Sequence, residues 1–359
     1  MTITRRTLLR GLVAAAAVPV LAPSPAFAAA RKWHPGHYLW PAGTRWSADV
    51  RKSHFAALDA VAANPYVTGI KIAFDWADFE GAKGDYTAGF RILDAYLDKL
   101  DSVGKYLMVQ VNERSFGNPG PGVYPRYIVD NGWVIARPGG ESWTGNLAST
   151  ARMWQPAVMD RLIALSHAFA TRYDGHPRFE QFSLGETAMG VPGGYGFSTE
   201  AWRAQLKRWF TESKRAWTNT YLRLNANFIS NDEAMRDLIT HCARGGGVTV
   251  GGPNPEPPVL SITRFITANR VFRGDDGGTD LRGTIPWTGE VRAANLGARF
   301  TQTPEEIFDY FYATMRASHM VWPHNTSTGG AAQRWSTGIL PYINSIRGRT
   351  NTSRPTTAG

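Results

Sequence analysis

Eight repeats of one alternation, an apolar strand-like run followed by an amphipathic helical run, predict an α/β protein built as a single (β/α)8 TIM barrel. The size agrees, because 359 residues with 43% hydrophobic content suffice for one large core, and a barrel uses about 250 residues or more as one unit. No Gly-rich phosphate loop follows the first strand, which argues against the open doubly wound sheet that the same alternation would allow.

The strands are expected at 36–40, 67–74, 106–111, 179–184, 221–228, 247–251, 281–287 and 318–322. Between them, apolar residues recur at three- and four-residue spacing over 50–63, 88–103, 156–173, 199–218, 232–242, 260–268, 304–317 and 333–345, which predicts helices. Start signals support several of these. Ser198 and Thr199 offer hydroxyls, Asn231 precedes two acids, and Thr303 precedes Pro304 at a first helical position. The longest interruption, 112–155, follows the third strand. It holds a Gly/Pro run at 117–122 with Tyr124, Tyr127, Trp133 and Trp143. Loops after barrel strands build the active-site face, so this long loop reads as a substrate-binding wall.

The ends of the chain read differently. Arg5-Arg6, a modest apolar stretch and Ala26-Phe27-Ala28 predict a twin-arginine export signal over 1–28, hence a periplasmic or secreted protein with no stable membrane insertion after cleavage. The barrel is then expected over 31–346, and the polar, aperiodic segment 347–359 is expected to be a disordered tail. The one cysteine, Cys242, excludes an intramolecular disulfide and a multi-Cys zinc site, and its helical setting predicts core packing. The formal charge is +10, and loss of Arg5, Arg6 and Arg10 lowers it by three to +7. That balance is compatible with acidic glycans or an anionic envelope. The charges are scattered, with no basic helix or zinc finger, so nucleic acid is not an expected partner.

Two acids stand where barrel chemistry is built. Glu186 follows an apolar strand and Gly185, and Glu290 follows the seventh strand and Gly289. Strands four and seven lie nearly across an eight-stranded barrel, so acids at their tips can face each other over the mouth. A facing carboxyl pair is what cleavage of a glycosidic bond requires. Leu184 and Met189 would desolvate Glu186 and suit it to general acid work, while Arg292 would help keep Glu290 ionised for attack. Substrate contacts are expected from Trp76 and Glu80 after strand two, Asn112 and Glu113 at the end of strand three, and Asn227 two residues beyond Asn225. Trp287 in strand seven, and Trp322 and His324 at the end of strand eight, complete the set. Glu113 is also the rival acid, with pairing to Arg114 as its other role. Asn225 is either a mouth residue or an interior hydrogen bonder, and Asn254 and Glu256 are ambiguous. The aromatic content, 13 Trp, 13 Tyr and 17 Phe, suits stacking against sugar faces, with an aromatic-rich core as the plain alternative. No metal or cofactor is expected. His34 and His37 lack a third ligand, and no HExxH, phosphate loop or Gly-x-Ser-x-Gly elbow occurs.

Three stretches carry a resemblance. Residues 67–86 (VTGIKIAFDWADFEGAKGDY) give an apolar strand, Trp, an acid and Glu-x-x-x-Gly-x-Tyr. Residues 94–111 continue as helix, Gly-Lys and strand, and 154–174 form the helix before strand four. Over most of 36–325 the chain resembles the large clan A of retaining glycoside hydrolases. The resemblance implies Glu186 as acid/base, Glu290 as nucleophile and Trp322 as the floor of the subsite for the cleaved sugar. It implies a polysaccharide or oligosaccharide substrate, with a lean to β-type or equatorial bonds. The clan usually has Asn before the strand-four Glu, bonded to the sugar 2-hydroxyl, and this chain has Gly185. That departure leaves a second reading, a catalytically inactive barrel that binds glycan. A third is an exported barrel hydrolase or lyase of another chemistry.

Overall fold

The computed structural model describes residues 31–41, 48–115, 122–137, 148–189, 194–227, 229, 231–253, 279–291, 302–324 and 334–356. Eleven strands are seen in them. Eight close a parallel barrel: β1 (Gly36–Trp40), β2 (Val67–Asp75), β3 (Tyr106–Asn112), β7 (Phe179–Leu184), β8 (Tyr221–Asn225), β9 (Val248–Pro253), β10 (Trp287–Glu290) and β11 (His319–Pro323). Each pairs with its chain-order neighbour, and β1 closes the ring against β11, Tyr38 opposite Val321. The predicted TIM barrel is therefore present.

Strand residues alternate between two environments, as a pleated ribbon demands. Ile70, Ile72 and Phe74 of β2, Leu107, Val109 and Val111 of β3, and Leu222 and Leu224 of β8 belong to the large apolar core. There they meet helix residues such as Leu93, Leu162, Phe169 and Trp209. The helices that cover the barrel include α3 (Thr87–Ser102), α5 (Pro156–Tyr173), α6 (Thr199–Lys214) and α7 (Asp232–Gly245). The α6 and α7 starts use the foreseen caps: Ser198 accepts the Ala201 N–H and Asn231 accepts the Ala234 N–H. The intervening strand positions face the lumen. Tyr38, Met108 and Val321 form a small second apolar cluster, and the remainder is markedly polar.

Several boundaries depart from expectation. Strand seven is Trp287–Glu290 rather than 281–287, because Thr284 and Ile285 both donate their N–H to the Leu281 carbonyl and turn the chain before Pro286. Strand five ends at Asn225, and Phe228 lies outside the described residues, as does the helix expected at 260–268. The 304–317 helix is Pro304–Asp309 followed by a wider π-turn, Tyr310–Thr314. The interruption after strand three is not structureless where described. It carries a short helix, Arg126–Asp130, and an antiparallel sheet of β4 (Arg114–Ser115), β5 (Val134–Arg137) and β6 (Ala148–Ala151) in the order β4-β6-β5.

Within the segment 347–356, residues 350–352 make polar contacts to the barrel. Thr350 Oγ1 donates to Ser318 O at 2.9 Å, Asn351 Nδ2 to Tyr312 O and Ala317 O, and the Trp33 indole to Thr352 O. Polar residues without periodicity are held here by carbonyls at the ends of the last barrel elements, not by an apolar stripe. Cys242 is fully buried on α7. Among the described residues, no helix is long and apolar enough to cross a membrane.

Candidate active site

Glu290 ends β10. Lys71 of β2 donates to its Oε2 at 2.6 Å, and Arg223 of β8 donates Nη2 to the same oxygen. No two of these strands are neighbours in the barrel, so the three side chains meet by crossing the lumen. All three are nearly excluded from solvent. Burial alone would raise the Glu290 pKa, but the charges of Lys71 and Arg223 outweigh it and hold the carboxyl down at about 2. The Lys71 ammonium also lies 4.3 Å from the centroid of the half-buried Trp40 ring, at the C-terminal end of β1. Gly289 lets β10 run close to the helix layer. A Cβ there would lie 2.7 Å from the Phe311 ring.

Glu186 lies two residues beyond β7 and is buried. Asn227 Nδ2 donates to its Oε2 at 2.5 Å. The neighbouring backbone is tied to the same side. The Thr187 N–H donates to Asn225 O at 3.0 Å, the Asn227 N–H to Thr187 Oγ1 at 2.7 Å, and the Trp202 indole to Thr187 O at 2.9 Å. On the other side stands Glu113, just past β3. Its Oε1 accepts Arg114 Nε at 2.9 Å and Nη2 at 2.6 Å, its Oε2 accepts the Gly185 N–H at 2.8 Å, and Arg114 Nη1 reaches Ala188 O.

Strand five and the residues just past it thus address both candidate carboxylates. Residues 223 and 225 share a face of the strand, and Asn227 follows two residues past its end. Arg223 holds Glu290, Asn227 holds Glu186, and Asn225 between them donates to Leu184 O and Gln110 Oε1. Gln110 in turn donates to Asn112 at 2.7 Å. Asn112 is accordingly part of an interior amide chain, and Asn225 takes the interior hydrogen-bonding role.

Of the ten expected site residues, Glu186, Glu290, Asn227, Asn112 and Glu113 converge in this way. His324 lies at the rim. Its N–H donates to Trp40 O, its ring is edge-on to Trp335, and burial lowers its pKa. Four are placed elsewhere. Trp76 and Glu80 satisfy each other: the indole donates to Glu80 Oε2 at 2.8 Å, while Oε1 takes Arg161 at 2.5 Å and the Gly84 N–H. Both are fully buried, and each is held in this local network away from the two candidate carboxylates. Trp287 and Trp322 belong to the outer apolar core. Trp322 donates to His37 Nδ1 at 2.9 Å and packs on Phe311, a neighbour from the helix layer. Neither indole floors the mouth. Arg292, Asn254, Glu256 and Trp143 fall outside the described residues.

Lys71, Arg223 and Trp40 were not anticipated. The signal for the two cations lay in the strands, since Lys71 interrupts VTGIKIAF and Arg223 interrupts YLRLN. A long cation in a strand covered on both faces needs a buried partner. Among the described residues no group of three His, Cys, Asp or Glu is arranged to hold a metal.

No protein-family model matches the chain, and no curated protein sequence does. Solved structures do match in fold. Endo-glycoceramidase II from Rhodococcus sp. is 13% identical with a TM-score of 0.58, covering 87% of this chain and 78% of that one. A β-glucanase from Saccharophagus degradans in complex with cellotetraose is 10% identical with a TM-score of 0.51, covering 88% and 87%. An exo-β-1,4-mannosidase from Opitutaceae bacterium strain TAV5 is 13% identical with a TM-score of 0.51, covering 90% and 61%. At these identities the likeness establishes a shared barrel fold with glycoside hydrolases.

Proposed function

We propose that this chain is a retaining glycoside hydrolase, with Glu186 as acid/base and Glu290 as nucleophile. The observation that supports the reading is the pair of buried carboxylates, Glu290 at the end of strand seven and Glu186 just past strand four, held by Arg223 of strand five and by Asn227 just past that strand. The activities named for the structural neighbours, on a glycolipid, a β-glucan and a mannoside, support glycosidic bond cleavage as the chemistry here.

The hydrogen bonds support one division of roles between the oxygens. Glu186 Oε2 accepts from Asn227, so the acidic proton belongs on Oε1 and passes from there to the leaving-group oxygen. Both cations hold Glu290 through Oε2, leaving Oε1 as the oxygen for the anomeric carbon. The C–O bond to the leaving group breaks as the Oε1–carbon bond forms. Glu186, now deprotonated, takes a proton from water. That water displaces Glu290 and restores both carboxyl groups.

The test is a glycan panel that includes acidic polysaccharides, since the net charge extends the proposal to anionic substrates. New reducing ends should appear with wild type, and Glu186→Gln and Glu290→Gln should each lower the rate by about 100-fold or more. Glycan binding without cleavage, equal in both variants, would replace the enzyme by a glycan-binding barrel. Retention needs the carboxyl groups about 5–5.5 Å apart. Proton NMR of the first product should show the substrate's anomeric configuration, and the opposite anomer would sink the double displacement. We extend the proposal to export. N-terminal sequencing of the secreted protein should begin at residue 29, and an intact residue 1 in the cytosol would refute it.

A further inference from the structure

We propose that Glu113 is a positioning residue for Glu186, and that residue 185 is glycine because the Glu113 carboxylate occupies the space a side chain would need. The inference rests on the reading of Glu186 as acid/base. A Cβ on residue 185 would lie 2.8 Å from Glu113 Oε1 and 2.9 Å from Oε2, closer than real contacts allow. The same carboxylate accepts the Gly185 N–H at 2.8 Å. A side chain there would have to push the carboxylate out of its bonds to Arg114, and the carboxylate fastens the backbone at the same point, one residue before Glu186. Arg114 completes the clamp, gripping Glu113 through two nitrogens and Ala188 O through the third. Residues 185 and 188, on either side of Glu186, are thereby tied to the end of strand three, while Asn227 and Trp202 hold the opposite side. Glu113 accepts at both oxygens in this arrangement, which suits a clamp and not a proton donor.

A misplaced general acid matters only where the leaving group needs protonation. The test compares phenyl with 2,4-dinitrophenyl glycosides of glucose, mannose, galactose and glucuronic acid. Glu113→Ala and Gly185→Ala should each lower kcat/KM about 100-fold on the phenyl glycoside that wild type cleaves, and less than about 5-fold on its dinitrophenyl counterpart. The double variant should be no worse than Glu113→Ala alone, because the clash disappears with the carboxylate. Glu113→Gln, which keeps the size and an acceptor for the Gly185 N–H, should lose about 10-fold on the phenyl glycoside and carries the test if Glu113→Ala does not fold. Equal losses with both leaving groups, or losses that multiply in the double variant, overturn the proposal. Crystal structures of Gly185→Ala and Glu113→Gln decide it apart from turnover. A Glu186 carboxyl unmoved in both overturns it. A shift of about 1 Å in an unchanged barrel supports it, even if wild type cleaves no glycoside and the hydrolase reading falls.

Discussion

At the scale of single residues, two cations on one oxygen set the behaviour of Glu290. Its carboxyl sits at about 2 instead of 4.5, because Lys71 and Arg223 outweigh burial. The sign follows directly. A depressed folded pKa gives stability that is complete above 4.5 and is lost as pH falls from there through about 2. In the proposed reaction the same shift would keep Glu290 ionised, so it should contribute no acid limb to kcat/KM above about pH 3. Lys71→Met should move that limb upward by about one unit or more, since an opposite charge in contact shifts a carboxylate by about 1–3 units. A pH–rate profile for the variant checks this, and an unmoved limb would show that Lys71 does not set the ionisation of Glu290. Much of this site was legible. Glu186, Glu290 and Asn227 follow apolar strands, where a polar residue has few structural duties. Parity places the two tryptophans in the outer core. Trp287 and Glu290 are three apart in one strand and so take opposite faces, and Trp322 adjoins the lumen-facing Val321. Partner identities, such as Arg161 for Glu80, come from residues 81 positions away and leave no local trace.

Individual elements show where pattern reading succeeds. Strands one and four and the helix Pro156–Tyr173 match expectation to the residue, because their apolar periodicity is bounded by turns or a first-turn proline. Strand seven was misplaced because Leu281 and Ile285 are apolar yet sit in a turn, while Trp287–Glu290 is short and half polar. Strand four hides a bulge. Pairing runs from Leu107 opposite Phe179 to Met108 opposite Gln181, so Glu180 is the extra residue. It is fully buried and accepts the His34 N–H at 3.0 Å, with the His34 and His319 rings at 2.7 and 3.1 Å. Burial pushes its pKa up, but bonds to the two histidines reverse this and leave it lowered. Glu180→Leu would strand both rings and the N–H. It should cost about 3–5 kcal/mol in urea unfolding, while kcat per folded molecule stays within about twofold. A large loss of kcat would mean that this end of the barrel communicates with the mouth.

For the whole molecule, the candidate site and the fastening of the chain ends occupy opposite ends of one barrel. The carboxylates gather where the strands finish, while Glu180, His34 and the segment 347–352 knit the ends where they begin. The closed barrel was readable because each strand–helix unit repeats the same demand for burial. The fastening of the tail was not, because carbonyl contacts carry no hydropathy pattern. The fully buried Cys242 then acquires an experimental use. Burial pushes its thiol up to about 12, with Lys214 and Lys207 opposing only in part, and it is the chain's single cysteine. A thiol reagent therefore reads one event, the opening of the layer around α7. Labelling at neutral pH should be slower than for the unfolded chain by a factor that equals the opening equilibrium. Fast labelling of the native protein would mean that α7 detaches without global unfolding. One sulfur atom turns the molecule into its own stability gauge, with no added dye or engineered probe.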